Sequence, residues 1–344
     1  MKNRFDIIIT TYNREESLKI LISDILKSTI LPHKIIIVDS SSKENISIQK
    51  YSKVKYIKSS HPNQPYQRYL GQKLSTSNIL IFMDDDMRIL QKNAFEKILQ
   101  KYNNHNIIGV QPNFINNNDF LQKSLPKSKI NFKEKTLNRW KRILTGYYIP
   151  KSGQLSFCGI RGEKPKNEGY LQYFNGGVFS VKRECIFSEK FNAELLTIFE
   201  NKLGMGEDTI LGYEASKFGK IIYIEESLFL HDDQKNSTYS LNTYSYAKRV
   251  AYSRLFLSLE YQRLKNSSSI PAFLHYQWYM FWRILNLFIN SIISKNKNTQ
   301  KEMLKGFIFG WIKGNLSIFD FINNNKYNYW KKELENDIKK KQYR

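Results

Sequence analysis

Three consecutive aspartates, Asp84, Asp85 and Asp86, directly follow the apolar run Ile79–Met83, which has the composition of a buried strand. Adjacent carboxylates repel one another unless a cation neutralises them, and hard oxygen ligands of this kind suit Mg²⁺ or Mn²⁺. A divalent ion held by one or two carboxylates usually completes its shell with phosphate oxygens from a substrate. The cluster therefore predicts a metal site that handles a phosphorylated ligand. A solvated acidic turn, or an N-cap for the following helix, is the alternative interpretation.

Polar side chains also end two apolar runs nearer the N-terminus. They are Thr11, Tyr12 and Arg14 after the first run and Asp39 after the second. Ligands of open α/β sheets bind beyond the carboxyl ends of the strands, so we expect these groups to meet the aspartates at one edge. An aromatic ring, an arginine and carboxylates together suit a nucleotide, with ring, phosphate and ribose or base contacts.

The elements that must position these residues are short apolar runs alternating with stretches of helical periodicity. This alternation predicts an α/β fold with parallel strands. Strands are predicted at 5–10, 34–38, 54–57, 79–83, 107–111, 173–181, 221–224 and 228–230, and helices at 18–26, 66–74, 94–102 and 207–218. Residues 113–170 have a weaker pattern, with a basic run at 123–135 and a predicted helix near 136–144.

The composition of the 344-residue chain excludes several classes of protein. Its 54 Lys and Arg exceed its 31 Asp and Glu, which leaves a net charge of +23. A hydrophobic content of 41% is too high for a disordered tail protein, and two cysteines, Cys158 and Cys185, exclude a disulfide scaffold and a CxxC zinc site. Two free, structural thiols fit a reducing compartment. The N-terminal residues do not have the pattern of a signal peptide, so we expect a cytoplasmic protein.

Five segments, in order, resemble those of glycosyltransferases of family 2, which have the GT-A fold. They are IIITTYNREESL at 7–18, KIIIVDSSS at 34–42, QRYLGQKLSTSNILIFMDDDM at 67–87, NGGVFSVKRE at 175–184 and GMGEDTILGYEASKFGK at 204–220. The resemblance covers about two-thirds of the chain. It implies an α/β fold with a mixed sheet flanked by helices, followed by a C-terminal helical extension.

The resemblance also implies a role for each matched position. Contacts to a nucleotide-diphosphate sugar fall on Thr11, Tyr12, Arg14, Asp39, Arg68, Asp84 and Asp85, and Gly71 lies in the same matched segment as Arg68. The resemblance assigns Asp86 and His231 as the ligands of the metal ion, Mn²⁺ or Mg²⁺. Asp208 matches the general base of inverting members, and Glu207 beside it orients the acceptor or its loop. Asn175, Gly176 and Gly177 border the donor sugar and the acceptor.

Some of these positions have simpler interpretations or depart from the family pattern. Glu207 is also a first-turn helix acid, the Asn-Gly-Gly segment is also a turn, and a single histidine such as His231 is also a common structural residue. The second strand ends in Asp39-Ser40-Ser41-Ser42 where the family usually has acidic-Gly-Ser, and Tyr69 replaces an asparagine after the arginine. These departures weaken the prediction of base and ribose contacts.

The C-terminal third is basic, aromatic and predicted to be helical over 242–265, 270–293 and 301–321. Residues 248–344 hold 18 Lys and Arg against 6 Asp and Glu. The apolar stretch 270–293 contains Arg283, which disfavours a transmembrane span and is compatible with an interfacial helix carrying Trp278 and Trp282. An anionic membrane surface is therefore a candidate partner. Packing on the catalytic domain, or on a partner subunit, is the alternative.

Together these features predict a catalytic domain at 1–240, with a nucleotide-binding half at 1–112 and an acceptor-binding half at 113–240, followed by a helical region at 241–344. The predicted activity is metal-dependent, inverting transfer of a sugar from a nucleotide-diphosphate sugar to a glycan or lipid-linked acceptor, in cell-surface polysaccharide synthesis. A nucleotidyltransferase is the enzymatic alternative, although the first loop has no glycine. A basic nucleic-acid-binding protein is the non-enzymatic alternative, but no nucleic-acid partner is expected. The sequence leaves the oligomeric state open.

Overall fold

The computed structural model describes residues 4–116, 150–156, 159–188, 191–232, 242–294 and 296–342. The basic run at 123–135, the helix predicted near 136–144 and Cys158 lie outside the described residues.

The N-terminal half is a parallel sheet whose strands lie in the spatial order β3 (Val54–Lys58), β2 (Lys34–Asp39), β1 (Phe5–Thr11) and β4 (Ile79–Asp84). Strand β1 and the core of β2 and β4 are buried on both faces, which explains their uninterrupted apolar sequence. The elements are β1 (Phe5–Thr11), α1 (Glu15–Leu26), β2 (Lys34–Asp39), β3 (Val54–Lys58), α2 (Gln64–Leu74) and β4 (Ile79–Asp84).

The second half extends the same sheet with both strand directions. Its elements are β5 (Met87–Ile89), α3 (Ala94–Lys101), β6 (Ile107–Asn116), β7 (Gly169–Leu171), β8 (Val178–Lys182), α4 (Glu194–Glu200), α5 (Glu207–Ala215) and β9 (Lys220–His231). Strand β8 is antiparallel to both β4 and β6, whereas β6 and β9 are parallel. The simple expectation of parallel strands is therefore wrong beyond β4, and the mixed sheet that the resemblance implied is confirmed.

The strand register determines which side chains meet at the edge of the sheet. Thr10 lies opposite Asp84, and Thr11 lies opposite Asp39. On the far side of the aspartate turn, the short strand β5 pairs antiparallel with the end of β9, which places Met87 opposite His231. The residues predicted at separate strand ends are thus brought to a common edge.

In the described part of the chain five helices follow the sheet, and they pack on one another and on helices α2 and α5. They are α6 (Thr243–Leu264), α7 (Ile270–Ile293), α8 (Lys297–Leu316), α9 (Ile318–Asn323) and α10 (Tyr327–Gln342). Helices α6 and α8 approach closely because two glycines face the α6 backbone. A Cβ atom at Gly306 or Gly310 would lie 2.4 Å from the carbonyl oxygen of Tyr244 or Lys248. The last helix returns to α2, where the buried Trp330 ring lies 5.4 Å from that of Tyr66.

Within the described ranges, no helix has both the length and the apolar character needed to cross a bilayer. The outer faces of α7 to α9 nevertheless carry large exposed apolar side chains.

Candidate active site

A cavity of about 360 Å³ opens at the carboxyl ends of β1 and β4. Its lining residues come from the first loop, the start of α2, the aspartate turn and the end of β9. They are Thr10, Thr11, Tyr12, Arg14, Gln64, Gln67, Asp84, Asp85, Asp86 and His231. Seven of the nine residues predicted to bind the nucleotide sugar or the metal therefore line this cavity. The other two, Asp39 and Arg68, are not part of its lining.

The first loop holds the aspartate turn through direct polar contacts. Thr11 Oγ1 donates to Asp85 Oδ2 at 2.7 Å. Arg14 Nη1 lies 3.0 Å from Asp85 Oδ1 and 2.5 Å from Asp86 Oδ2. One guanidinium thus partly neutralises two adjacent carboxylates, which lowers the repulsion within this acidic turn.

The two carboxylates differ in their protonation behaviour. Burial raises the pKa of Asp85 to about 7, against the opposing effect of Arg14. Burial also disfavours ionisation of Asp86, but the contacts from His231 and Arg14 outweigh it, so the pKa of Asp86 is lowered. Of these two carboxylates, Asp86 is therefore the one that loses its proton at the lower pH.

Asp86 and His231 have the chemistry expected of a metal-binding pair. His231 Nε2 lies 3.3 Å from Asp86 Oδ1, and both residues line the cavity. Among the described residues no group of three or more His, Cys, Asp or Glu side chains is arranged to hold a metal ion. A pair of this kind fits Mg²⁺ or Mn²⁺ because these ions take few protein ligands and fill the remaining positions with water and phosphate oxygens.

Asp84 faces a different set of partners from its two neighbours. It accepts hydrogen bonds from Gln64 Nε2 at 2.9 Å and from the Gly177 backbone N–H at 3.2 Å. The guanidinium of Arg68 lies 2.9 Å from Asp84 Oδ1 and 2.9 Å from Glu207 Oε1. Arg68 is only 2% exposed, so in this structure it joins the two acids from beneath the cavity.

Glu207 is consequently buried in an ion pair, in keeping with an orienting role for this residue. Burial raises its pKa to about 7, and the charge of Arg68 opposes that shift. Because its carboxylate contacts Arg68, Glu207 links the start of α5 to the strand that carries Asp84.

Asp208 is held by three N–H donors around one carboxylate. Oδ2 accepts from Gly176 N at 2.5 Å and from Arg161 Nη1 at 3.3 Å, while Oδ1 accepts from Thr209 N at 2.9 Å. A carboxylate offers about four acceptor positions, so roughly one remains for a further proton donor. The Asn-Gly-Gly segment therefore both positions Asp208 and, through Gly177, positions Asp84.

Asp39 lies beside the cavity and makes contacts within the protein. Tyr56 donates its hydroxyl hydrogen to Asp39 Oδ2 at 2.6 Å, and Ser41 N donates to Oδ1 at 2.7 Å. Its proposed contact with a nucleotide base stays a prediction.

Cys185 has a free thiol and is buried. Burial raises the pKa of this thiol to about 11, as expected of a structural cysteine.

Four polar residues at the site are absent from the sequence-based predictions. Gln64 and Gln67 line the cavity from the first turns of α2, and Gln67 Nε2 also donates to Val38 O at 2.7 Å. Their spacing of three, on the helix face that carries Arg68, was a usable signal. Gln111 Oε1 accepts from Asn175 N at 2.7 Å, and Arg161 contacts Asp208. Nothing in the local sequence marks these last two.

The mixed sheet, with a nucleotide-sized cavity at its edge and a buried acid at the start of a nearby helix, defines an enzyme of the GT-A glycosyltransferase fold. The family comparison agrees, because residues 6–157 match the model of glycosyl transferase family 2. The protein is thus a glycosyltransferase, and its likeness to family 2 covers residues 6–157, where three of the five resembling segments lie. No curated protein sequence matches the chain.

One solved structure supports the fold, and two others are reported beside it. The crystal structure of Staphylococcus aureus TarS 1-349 is similar over 97% of this chain and 88% of its own, with a TM-score of 0.50 and 12% identity. A longer TarS structure is matched over 54% of its length at 13% identity and a TM-score of 0.49. The mannosyltransferase PcManGT from Pyrobaculum calidifontis, in complex with GDP-Man and Mn²⁺, matches at 12% identity over 98% of this chain and 86% of its own, with a TM-score of 0.46. At these identities the likeness concerns the fold alone.

Proposed function

We propose that the protein transfers a sugar from a nucleotide-diphosphate sugar to a glycan or lipid-linked acceptor, with inversion at the anomeric carbon and dependence on Mn²⁺ or Mg²⁺. The observation that carries the proposal is the convergence of Arg14, Asp86 and His231 on one cavity, with Asp208 close to the strand that carries Asp84. A divalent ion on Asp86 and His231 would supply Lewis-acid neutralisation of the leaving diphosphate.

The residues of the chain supply the other steps. The acceptor hydroxyl oxygen attacks the anomeric carbon, its proton passes to Asp208 Oδ, and the bond between that carbon and the diphosphate oxygen breaks. Arg14 adds positive charge near the diphosphate, which stabilises the negative charge that develops there. Since Asp208 is a base and forms no bond to the sugar, a single displacement and inverted configuration follow.

A panel of nucleotide sugars with Mn²⁺ or Mg²⁺ tests this proposal. One nucleotide sugar should raise the unfolding temperature, since a ligand at 100 times its Kd stabilises a protein by about 2.7 kcal/mol. Incubation with that donor should release its nucleoside diphosphate. Pyrophosphate formation from a nucleoside triphosphate and a sugar phosphate would support the nucleotidyltransferase instead. Salt-sensitive binding of RNA or DNA without any response to the panel would support a nucleic-acid-binding protein.

We further propose that the outer faces of α7 to α9 rest on the anionic inner face of the cell membrane. Exposed apolar side chains recur at helical spacing on both long helices. On α7 they are Ile270, Leu274, Trp278, Phe281, Phe288 and Ile292, and on α8 and α9 they are Phe309, Ile312, Leu316, Phe319 and Ile322. Exposed lysines at 297, 301, 305 and 313 lie along α8 beside Phe309. Apolar side chains flanked by lysines match an interface rich in acidic lipids, where each basic residue contributes about 1 kcal/mol.

Vesicle sedimentation tests the membrane proposal. The wild-type protein should sediment with vesicles containing phosphatidylglycerol and much less with neutral phosphatidylcholine vesicles. The double variant Leu274→Ser, Phe281→Ser should lose most of that binding, because both side chains are more than half exposed on the proposed face. Phe218→Ser, which alters a similarly exposed ring outside this face, is the matched control. Dimerisation through this face without vesicle binding would contradict the proposal.

A further inference from the structure

A second cavity, of about 300 Å³, lies between helix α6 and the segments around residues 160 and 206. Three parts of the chain line it: the segment 159–161, the turn and first residues of α5, and the face of α6 that includes Tyr246 and Arg254. No residue of α6 was predicted to take part in the site. Nothing in the proposed donor chemistry uses this cavity.

This cavity is lined by residues that contact the candidate base. Two of its lining residues, Arg161 and Thr209, both donate to the Asp208 carboxylate, at 3.3 and 2.9 Å. The remaining close donor, Gly176 N, belongs to the segment that also contacts Asp84. Asp208 is therefore placed between the cavity that would hold the donor and this second cavity.

The two cavities differ in the acidic residues that line them. Three aspartates line the first, whereas within the described part of the chain no Asp or Glu lines the second. Its cationic groups are Arg161 and Arg254. A phosphate in the first cavity needs a metal ion to offset the carboxylates, but a phosphate in the second meets guanidinium groups directly.

The side chain of Arg254 contacts an aromatic ring, but its Nε has no hydrogen-bond acceptor among the described residues. Its guanidinium carbon lies 4.9 Å from the ring centre of Tyr279, which orients the group by a cation–π contact. Its buried Nε forms no hydrogen bond with any described residue. Leaving a buried donor unsatisfied is costly. Because Arg254 also lines the cavity, an anionic ligand there would meet its positive charge.

We propose that this second cavity binds the acceptor, and that the acceptor carries a phosphate group near the hydroxyl that attacks. Arg254, with Arg161, recognises the phosphate, while Arg161 also keeps Asp208 directed toward the hydroxyl. The inference rests on the proposed glycosyl transfer and adds the chemical class of its acceptor. The phosphate belongs either to a soluble polyol or sugar phosphate or to a lipid phosphate.

Binding of small probes to the full chain tests this assignment. Glycerol 3-phosphate should bind the wild-type protein, measured by calorimetry with the donor nucleotide present at saturation, whereas glycerol should not. Arg254→Gln should weaken probe binding roughly tenfold to a hundredfold, because charge-assisted hydrogen bonds to phosphate are among the stronger polar contacts. Arg254→Lys should retain part of the affinity. Lys265→Gln, which removes an exposed cation at the end of the same helix, should bind the probe like wild type.

The outcomes separate this inference from the proposed function. If Arg254→Gln still binds the nucleotide sugar and releases its nucleoside diphosphate by hydrolysis but no longer binds the probe, the phosphate site is supported. Equal probe affinity in wild type and Arg254→Gln, or preference for a neutral glycan in transfer assays, would overturn it. Absence of any nucleotide-sugar binding would instead contradict the donor proposal. Comparing glycerol 3-phosphate with dodecyl phosphate in detergent identifies the source, and a preference for either supports a phosphate-bearing acceptor.

Discussion

Replacing Asp208 by asparagine should reduce sugar transfer by about 10²- to 10⁴-fold, the usual contribution of a general base, while leaving donor affinity unchanged. The structure supports this expectation because the Asp208 carboxylate does not line the cavity that holds Asp84–Asp86, and its hydrogen-bond donors among the described residues are Gly176, Arg161 and Thr209. The kcat for transfer and the Kd for the nucleotide sugar are the two measurements.

The asparagine variant is a sharp probe because it retains the shape of the side chain. Its amide oxygen can still accept from Gly176 N, but its NH₂ group can accept no proton and faces the Thr209 N–H, so a small loss of stability is expected. Glu207→Gln is the matched neighbour. Because Glu207 is paired with the buried Arg68, that variant should lower thermal stability more than Asp208→Asn does. Equal loss of donor binding and transfer in Asp208→Asn would show that Asp208 is not simply the base.

Replacing Asp86 by alanine should abolish metal-dependent turnover, with a loss of at least about 10²-fold, while the fold survives. The ionised Asp86 carboxylate is the acidic partner that His231 and Arg14 share, and a divalent ion bound with few protein ligands cannot easily lose one. Turnover as a function of Mn²⁺ concentration is the measurement, with circular dichroism to confirm folding.

Asp24→Ala provides the control for Asp86→Ala. Asp24 is also paired with an arginine, Arg88, at 2.7 Å, but it lies on α1 outside the cavity. This variant should lose no metal dependence, apart from any change in stability that thermal unfolding reveals. Full activity of Asp86→Ala would remove the metal assignment and leave Arg14 as the group that neutralises the diphosphate.

The ordered strand ends made much of the site predictable. Uninterrupted apolar runs followed by Thr11, Asp39 and Asp84 indicated buried parallel strands with polar ends, and the structure places these ends in adjacent register. Glu207 and Asp208 follow a glycine turn, and Gly206 takes a φ of 77°, a conformation that glycine adopts without strain. These are local signals, since each depends on neighbours in the chain.

Contacts across large sequence separations were not predictable in the same way. The antiparallel direction of β8, the pairing of β5 with β9 and the position of Arg161 beside Asp208 depend on segments far apart in the chain. The long continuous strand β9 likewise covers two runs, 221–224 and 228–230, that have separate patterns in the sequence.

The amino-acid sequence alone thus determined the type of strand, the acids at the strand ends and the basic, aromatic character of the C-terminal third, because these follow from residue type and local spacing. Only the tertiary structure decided that Arg68 lies buried between Asp84 and Glu207, that His231 reaches Asp86, and that α6 brings Arg254 to a cavity beside the candidate base. The physical reason is that charge pairing and cavity formation depend on which surfaces pack together. Which surfaces pack together depends on the apolar area that the whole sheet and all the helices bury, so it cannot be predicted from a short stretch of sequence.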